Sequence, residues 1–213
     1  MPHFIYESRL LKTMTGPICG VDEAGRGPLA GPVVAAAVIL DRARFPKGLN
    51  DSKQLDEETR EELFPLILDM AVAVGVGEAS VDEIDLVNIR QATHLAMARA
   101  VRALKVSAAF ALVDGNDPPA LPCKCDTLVG GDGRSLSIAA ASIIAKVTRD
   151  RLMTRLHHDH PGYNWCNNKG YGTPEHYSGL KRHGVTVHHR RSFAPIRQIL
   201  SGAEPSPAEG VQD

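Results

Sequence analysis

Five short apolar runs, separated by longer stretches of helical period, constrain this chain of 213 residues more than any other feature of it. Ile18–Ala24 and Val33–Leu40 are rich in β-branched residues, Ala71–Ala79 alternates, and the runs over 109–113 and 127–129 end in turn residues. Such runs predict strands. Leu55, Leu63, Leu66 and Ile67 recur at helical spacing after the helix-start residues Asn50-Asp51-Ser52, and Pro65 is expected to kink or end that helix. Residues 81–89 followed by 91–104 predict one or two helices, and 135–157 one long helix with a small-residue face. Strands interleaved with helices imply an α/β sheet. The first two runs flank Gly25-Arg26-Gly27-Pro28 and read as a hairpin-like pair around a tight connection. A Gly-, Asn- and aromatic-rich loop over 162–173 precedes helices near Pro174–His183 and 193–200, and the Pro-, Glu- and Ser-rich tail over 201–213 predicts disorder.

Acidic residues stand where these strands end. Asp22 and Glu23 close the first run, Asp114 the fourth, and Asp132 follows the fifth. Four carboxylates beside a core cost several kcal/mol each unless cations compensate, which points to hard divalent metals such as Mg²⁺ or Mn²⁺. No His or Cys stands in these motifs, so zinc and iron are disfavoured. Neighbours on a regular strand face opposite sides, so Asp22 and Glu23 reach one metal cluster together only where the strand ends or bulges. Gly25 and Gly27 flank Arg26 just beyond, and glycines let a backbone approach a hydroxyl or phosphate closely.

The formal net charge of −1 conceals a strong asymmetry. Residues 51–90 hold eleven acids against three bases, and residues 134–200 hold eleven bases against three acids, giving −8 and +8. Such a split suggests a surface for nucleic acid or an acidic substrate under a neutral total. Four cysteines, with Cys123 and Cys125 as C-x-C rather than C-x-x-C, argue for a reduced, cytoplasmic protein without structural zinc. The apolar stretch over 32–40 is only nine residues long, so no membrane helix is expected.

Seven ordered blocks carry a family resemblance. Gly20-Val-Asp-Glu-Ala-Gly-Arg-Gly-Pro28, Asp51-Ser52-Lys53, Val113-Asp114-Gly115, Gly131-Asp132, the run from Ser137 to Asp150, and Asn168-Lys-Gly-Tyr-Gly-Thr173 resemble bacterial ribonuclease HII, as does His189-Arg190-Arg191-Ser192-Phe193. The resemblance implies an RNase H-like α/β fold, a central mixed sheet flanked by helices with a helical C-terminal part. A catalytic domain would span about 16–200, its substrate-binding part about 160–200, with 1–15 as an N-terminal extension. The implied activity is endonucleolytic hydrolysis of the RNA strand of RNA–DNA hybrids and nicking 5′ of single ribonucleotides in duplex DNA, leaving 5′-phosphate and 3′-hydroxyl ends.

By the same resemblance, Asp22, Glu23, Asp114 and Asp132 are catalytic and hold two divalent ions, one activating the attacking water and one stabilising the leaving oxygen. Gly25, Arg26 and Gly27 recognise the ribonucleotide 2′-hydroxyl, the one group that separates RNA from DNA at a given position, and Tyr171 hydrogen-bonds it and stacks on the neighbouring sugar. Lys53 is expected to reach the active-site phosphates. Ser142, Lys146 and Arg149 share one helical face and either grip phosphates or, for the serine, serve close helix–sheet packing. Many relatives are expected to carry Lys in place of Gly130 or Gly131, a charge for which Arg134 would compensate. His157, His158, Asp159 and His160 read as a polar helix end. The implied partner is nucleic acid, bound by a monomer. A non-catalytic hybrid-binding module on the same fold is the alternative, but four acids where a polyanion must dock would repel it unless metals intervene. A small-molecule phosphatase would leave the basic C-terminal region unexplained.

Overall fold

A computed structural model describes residues 1–202, so all but the first two residues of the expected tail lie outside the described residues. Its strands are β1 (Ile18–Ala24), β2 (Val33–Leu40), β3 (Ala71–Ala79), β4 (Phe110–Asp114) and β5 (Lys124–Leu128). Its helices are α1 (Ile5–Leu10), α2 (Glu57–Met70), α3 (Val81–Arg102), α4 (Leu136–Asp159), α5 (Trp165–Asn168), α6 (Pro174–His183) and α7 (Ala194–Leu200). The chain divides into two compact units. The first comprises Met1–Ala24, Val34–Glu78 and Thr93–Thr148, and the second Gly25–Val33, Ala79–Ala92 and the chain from Arg149 onward.

In the first unit the strands order β3-β2-β1-β4-β5, with β1 antiparallel to β2 and β4 parallel to both β1 and β5, giving a mixed sheet. Strand alternation sorts side chains between two helical layers. Ala36, Val38 and Leu40 of β2 join Leu63 and Ile67 of α2 and Ala139, Ala140, Ala141, Ile143, Ile144 and Ala145 of α4 in one core. On β3, Val74 packs into that core, while Gly75 and Gly77 face α3, where an added Cβ would lie 2.2 Å from the Ala100 carbonyl oxygen and 2.4 Å from that of Ala96. Helices α2 and α4 therefore cover one face and the second half of α3 the other.

Several elements depart from the sequence expectation. The β1–β2 connection is an eight-residue loop over 25–32, longer than a tight turn, and its carbonyls require partners. Helix α2 starts at Asp56, whose carboxylate accepts from the Thr59 N–H at 2.8 Å, because Asp51 instead folds back onto the Lys53 N–H at 2.8 Å. Pro65 lies inside α2 without ending it, since Leu63 and Ile67 on either side are buried in the core. Asn88, at φ 72°, breaks α3 into two segments, as the double pattern allowed. Strand β5 begins at Lys124, three residues earlier than its apolar run. The short helices α1 and α5 carry no sequence signal of their own.

The second unit is built around Leu29, Ala30, Met153, Tyr163, Trp165, Leu180 and Ile196. Its helix α6 is capped by Thr173, with Pro174 at the first turn and Lys181, Arg182 and His183 in the last, as the helix dipole favours. None of the described helices is long and apolar enough to cross a membrane.

One close approach decides how α4 meets the sheet. A Cβ on Gly20 would lie 2.1 Å from the Ser137 carbonyl carbon and 2.2 Å from the Ile138 nitrogen, both backbone atoms. Gly20→Ala is therefore expected to lower unfolding free energy by roughly 1–3 kcal/mol, read by denaturant titration. An unchanged midpoint would show that α4 can withdraw freely.

Candidate active site

Strand register, rather than proximity in sequence, brings three of the expected acids together. Gly20 and Asp22 of β1 stand opposite Val38 and Ala36, which face α4, and the parallel register of Ile18 with Phe110 and Gly20 with Leu112 puts Asp114 in the same phase. Asp132 lies on a 3-10 turn, Gly131–Gly133, three residues before α4 begins. Ligand oxygens of Asp22, Asp114 and Asp132 all lie within 4.8 Å of one another. Glu23 falls outside this group, as strand alternation requires: β1 continues through it to Ala24, with Glu23 paired to Ala35.

Each carboxylate is fixed by peptide donors. Asp22 accepts from the Glu23 N–H at 2.7 Å, Asp114 from the Gly131 N–H at 2.6 Å, and Asp132 from the Gly133 N–H at 2.8 Å. Asp22 is only 5% exposed, and burial, followed by the charges of Glu23 and Asp114, holds its carboxyl well above the usual carboxylate range. Burial also raises Asp114, against the peptide donors around it and the nearby Lys53 ammonium. Asp132 is pushed up to about 6 by burial, by Asp114 and by Asp51, whose side chain hydrogen-bonds it. Asp51 was legible only as part of the Asp-Ser-Lys block; no strand-end signal marks it.

That block is anchored from α4. Ser142 is buried and donates to the Ser52 hydroxyl at 2.7 Å, so its hydroxyl fastens the segment carrying Asp51 and the exposed Lys53. Lys146 is half-buried one helical turn further on. The N-terminal extension supports the Asp132 turn: Glu7 accepts from the Ser135 hydroxyl at 2.7 Å and the Ser137 N–H at 3.2 Å, and the His3 N–H donates to the Arg134 carbonyl at 3.1 Å. A Cβ on Gly131 would lie 2.5 Å from Ile138 Cδ1, so a lysine there requires that side chain to shift, whereas Gly130 has open space around it. Arg134 turns to Tyr6, its guanidinium 5.1 Å from the ring centroid, and to the Val129 carbonyl at 3.0 Å.

In the second unit the loop over 25–32 is held by two buried arginines. Arg149, expected on a phosphate-gripping face, is instead buried and donates to the carbonyls of Ala30, Pro32 and Lys169 at 3.0, 3.0 and 2.9 Å. Two of these partners come from the eight-residue loop that stands where a tight turn was expected. Arg190 donates to the carbonyls of Gly25, Arg26 and Gly31 at 2.5, 2.8 and 2.9 Å. Gly25, at φ +96°, leaves no space for a Cβ, which would meet Arg149 Nε at 1.9 Å. Tyr171 is 42% exposed, and a Cβ on Gly27 would stand 3.4 Å from its ring.

A family model for Ribonuclease HII matches residues 19–196. The chain belongs to the ribonuclease HII family. It is 60% identical over 189 residues to Ribonuclease HII of Paramagnetospirillum magneticum, covering 87% of this chain and 94% of that protein. Ribonuclease HII of Magnetococcus marinus is 58% identical over 196 residues, covering 91% and 90%. Among solved structures, ribonuclease H2 from Pyrococcus horikoshii matches with a TM-score of 0.74 and 26% identity over 88% of this chain and 98% of that one. The RNase H-like fold and a metal-dependent endoribonuclease activity on RNA–DNA hybrids follow from this membership.

The residues of this ribonuclease fit a divalent metal. The grouped donors are carboxylate oxygens only, which suits a hard cation, and all three carboxyls are raised, Asp114 by burial and Asp22 and Asp132 by burial together with neighbouring carboxylate charges. When bound, the metal supplies positive charge that lowers the pKa of a water and stabilises a leaving oxygen.

Two fully buried histidines, which no local pattern marks, set the Tyr171 backbone. The Tyr171 carbonyl only accepts, so His176 donates to it through Nδ1–H at 2.8 Å. The Thr186 N–H only donates, so His189 accepts through Nδ1 at 3.0 Å and carries its proton on Nε2, which donates to His176 Nε2 at 3.0 Å. Trp165 Nε1–H donates to the same acceptor at 3.1 Å. Both rings are neutral, and burial lowers both, His189 from its ordinary 6.5 to about 3. The folded chain thus takes up fewer protons than the unfolded one below pH 6.5, and stability present above that pH is lost as pH falls toward 3. The expected loss is up to about 1.4 kcal/mol per pH unit for each histidine, and His189→Gln should flatten it in urea titrations between pH 7 and 4. Equal slopes in variant and parent would remove His189 from this role.

Proposed function

We propose that this ribonuclease hydrolyses RNA in hybrids and nicks 5′ of single ribonucleotides in duplex DNA, with two Mg²⁺ or Mn²⁺ ions and products bearing 5′-phosphate and 3′-hydroxyl ends. The observation that carries the reading is the gathering of Asp22, Asp114 and Asp132 oxygens within 4.8 Å on one face of the sheet. These three carboxylates hold the ions. Glu23 is the fourth acid of the site, and its charge already acts on Asp22. Lys53, whose ammonium acts on Asp114, meets the scissile phosphate, while Ser142 and Lys146 steady the segment beside it.

In the second unit, Gly25, Arg26 and Gly27 test for the 2′-hydroxyl, and Tyr171 offers it a hydroxyl and the neighbouring sugar a flat, exposed face. The catalytic domain spans about 16–200, its part from about 160 on contacting substrate. We take the enzyme to act as a cytoplasmic monomer. A hybrid-binding module without catalysis has no use for carboxylates whose anions repel phosphate.

With Mg²⁺ or Mn²⁺, the protein is expected to nick a duplex carrying one ribonucleotide on the 5′ side of that residue and to leave all-DNA duplex intact, as read on a denaturing gel. Cleavage of both duplexes, or of neither, would overturn the specificity. Asp114→Asn should lower the cleavage rate by a factor of about 10³ or more while binding of the same duplex in Ca²⁺ survives. Parent-like cleavage by the variant would remove Asp114 from the metal site.

A further inference from the structure

Arg190 is fully buried, and its three donor nitrogens are all spent on one loop. Nη2 donates to the Gly25 carbonyl at 2.5 Å, Nη1 to the Arg26 carbonyl at 2.8 Å and Nε to the Gly31 carbonyl at 2.9 Å. Its own N–H donates to the Leu29 carbonyl at 2.9 Å, and its guanidinium lies 5.1 Å from the Phe193 ring centroid, so the fork is locked at both ends. A trans peptide carries its C=O and N–H on opposite sides. Two successive carbonyls drawn to one fork therefore send the two N–H groups of the same peptides, those of Arg26 and Gly27, to the far side of the loop. The two peptides hinge at Arg26, and Gly25, at φ +96°, sets the direction in which the chain enters them. The Tyr171 ring lies against Gly27, with 3.4 Å between its Cε1 and the place of a Gly27 Cβ.

We propose that Arg190 is a positioning residue for sugar discrimination: its fork turns the Arg26 and Gly27 peptides so that their N–H groups form a paired donor for the ribonucleotide 2′-hydroxyl oxygen. This rests on the reading that the Gly25-Arg26-Gly27 loop contacts the ribonucleotide. The fork geometry is the essential element, not the charge. A lysine at this position carries the same charge but presents a single point donor, which cannot span two carbonyls in a fixed plane. Arg149, which holds Ala30, Pro32 and Lys169, anchors the rest of the loop without touching these two peptides.

The test compares affinities in Ca²⁺ for a duplex with one ribonucleotide and for the matching all-DNA duplex. Arg190→Lys is expected to bring the two within about twofold of each other, to leave the all-DNA affinity near the parent's, and so to raise KM for ribonucleotide cleavage along with the lost affinity while lowering kcat about tenfold. Leu180→Ala, which weakens the core of the same unit without removing a hydrogen-bond donor from the loop, should keep the parent's affinity ratio; a ratio lost equally in both variants would reduce Arg190 to a structural role and overturn the proposal. Gly25→Ala distorts the loop directly. Discrimination lost in Gly25→Ala but kept in Arg190→Lys overturns the positioning role alone, whereas discrimination kept in both overturns the reading of the loop itself. In the unsubstituted protein, the Gly27 amide proton should shift downfield on adding the ribonucleotide duplex in Ca²⁺ and stay in place with all-DNA duplex. An amide unmoved by either duplex overturns the proposal without recourse to any variant.

Discussion

The phase of β1 against its two neighbours is the constraint on which the catalytic side of the molecule depends. Because Ile18, Gly20 and Asp22 share one face, the sheet turns a hydrophobic residue, a gap and a carboxylate in sequence toward α4. The gap lets the start of α4 descend onto the strand, and with it the 3-10 turn that carries Asp132. Shifting the register by one residue would send Asp22 to the α3 face and replace it with Glu23. Parallel pairing with β4 then adds Asp114 without any further device. Three acids separated by up to 110 positions meet because two strands are in step and one glycine has no side chain.

The loop over 25–32 in the second unit depends on a different kind of force. A loop of eight residues cannot satisfy its carbonyls internally, and two buried guanidinium groups take five of them. Burying a cation is costly unless dipoles surround it, so each arginine is stable only while the loop holds its conformation. Neutral histidines do the same for Tyr171, with His176 and His189 passing one chain of hydrogen bonds from Thr186 to the Tyr171 carbonyl. The exposed groups are few, and the fixed groups beneath them set their directions.

Much of this was legible in the residues. The strands β1 to β4, α4 and the strand-end acids stand out because apolar period and turn chemistry are local properties; the glycines after Glu23 suggested an early strand end that β1, running on to Ala24, does not make. The motif blocks carried the family. What escaped the reading was set by distant contacts. Asp51 meets Asp132 across the fold, Glu7 reaches Ser135 from a helix of six residues, and Arg149 turns inward because a loop 117 positions away needs its donors. None of these leaves a periodic trace, since each depends on where another segment comes to rest.

The charge asymmetry changes meaning under the same scrutiny. Of the eleven bases over 134–200, Arg149 and Arg190 are buried and spend their donors on peptide carbonyls, so they do not meet phosphate directly. Of the eleven acids over 51–90, Asp85 accepts from the Arg191 N–H, the Ser192 N–H and the Ser192 hydroxyl, and Asp51 belongs beside Asp132. Part of each block is thus internal scaffolding. A buried cation still acts at a distance, however, and less screened by salt than an exposed one. Two guanidinium groups fixed beneath a loop that offers peptide N–H groups on its outer side make that side favourable to an electron-rich oxygen. The basic block therefore serves a polyanion partly by aiming dipoles, with the exposed lysines and arginines left to meet the phosphates themselves.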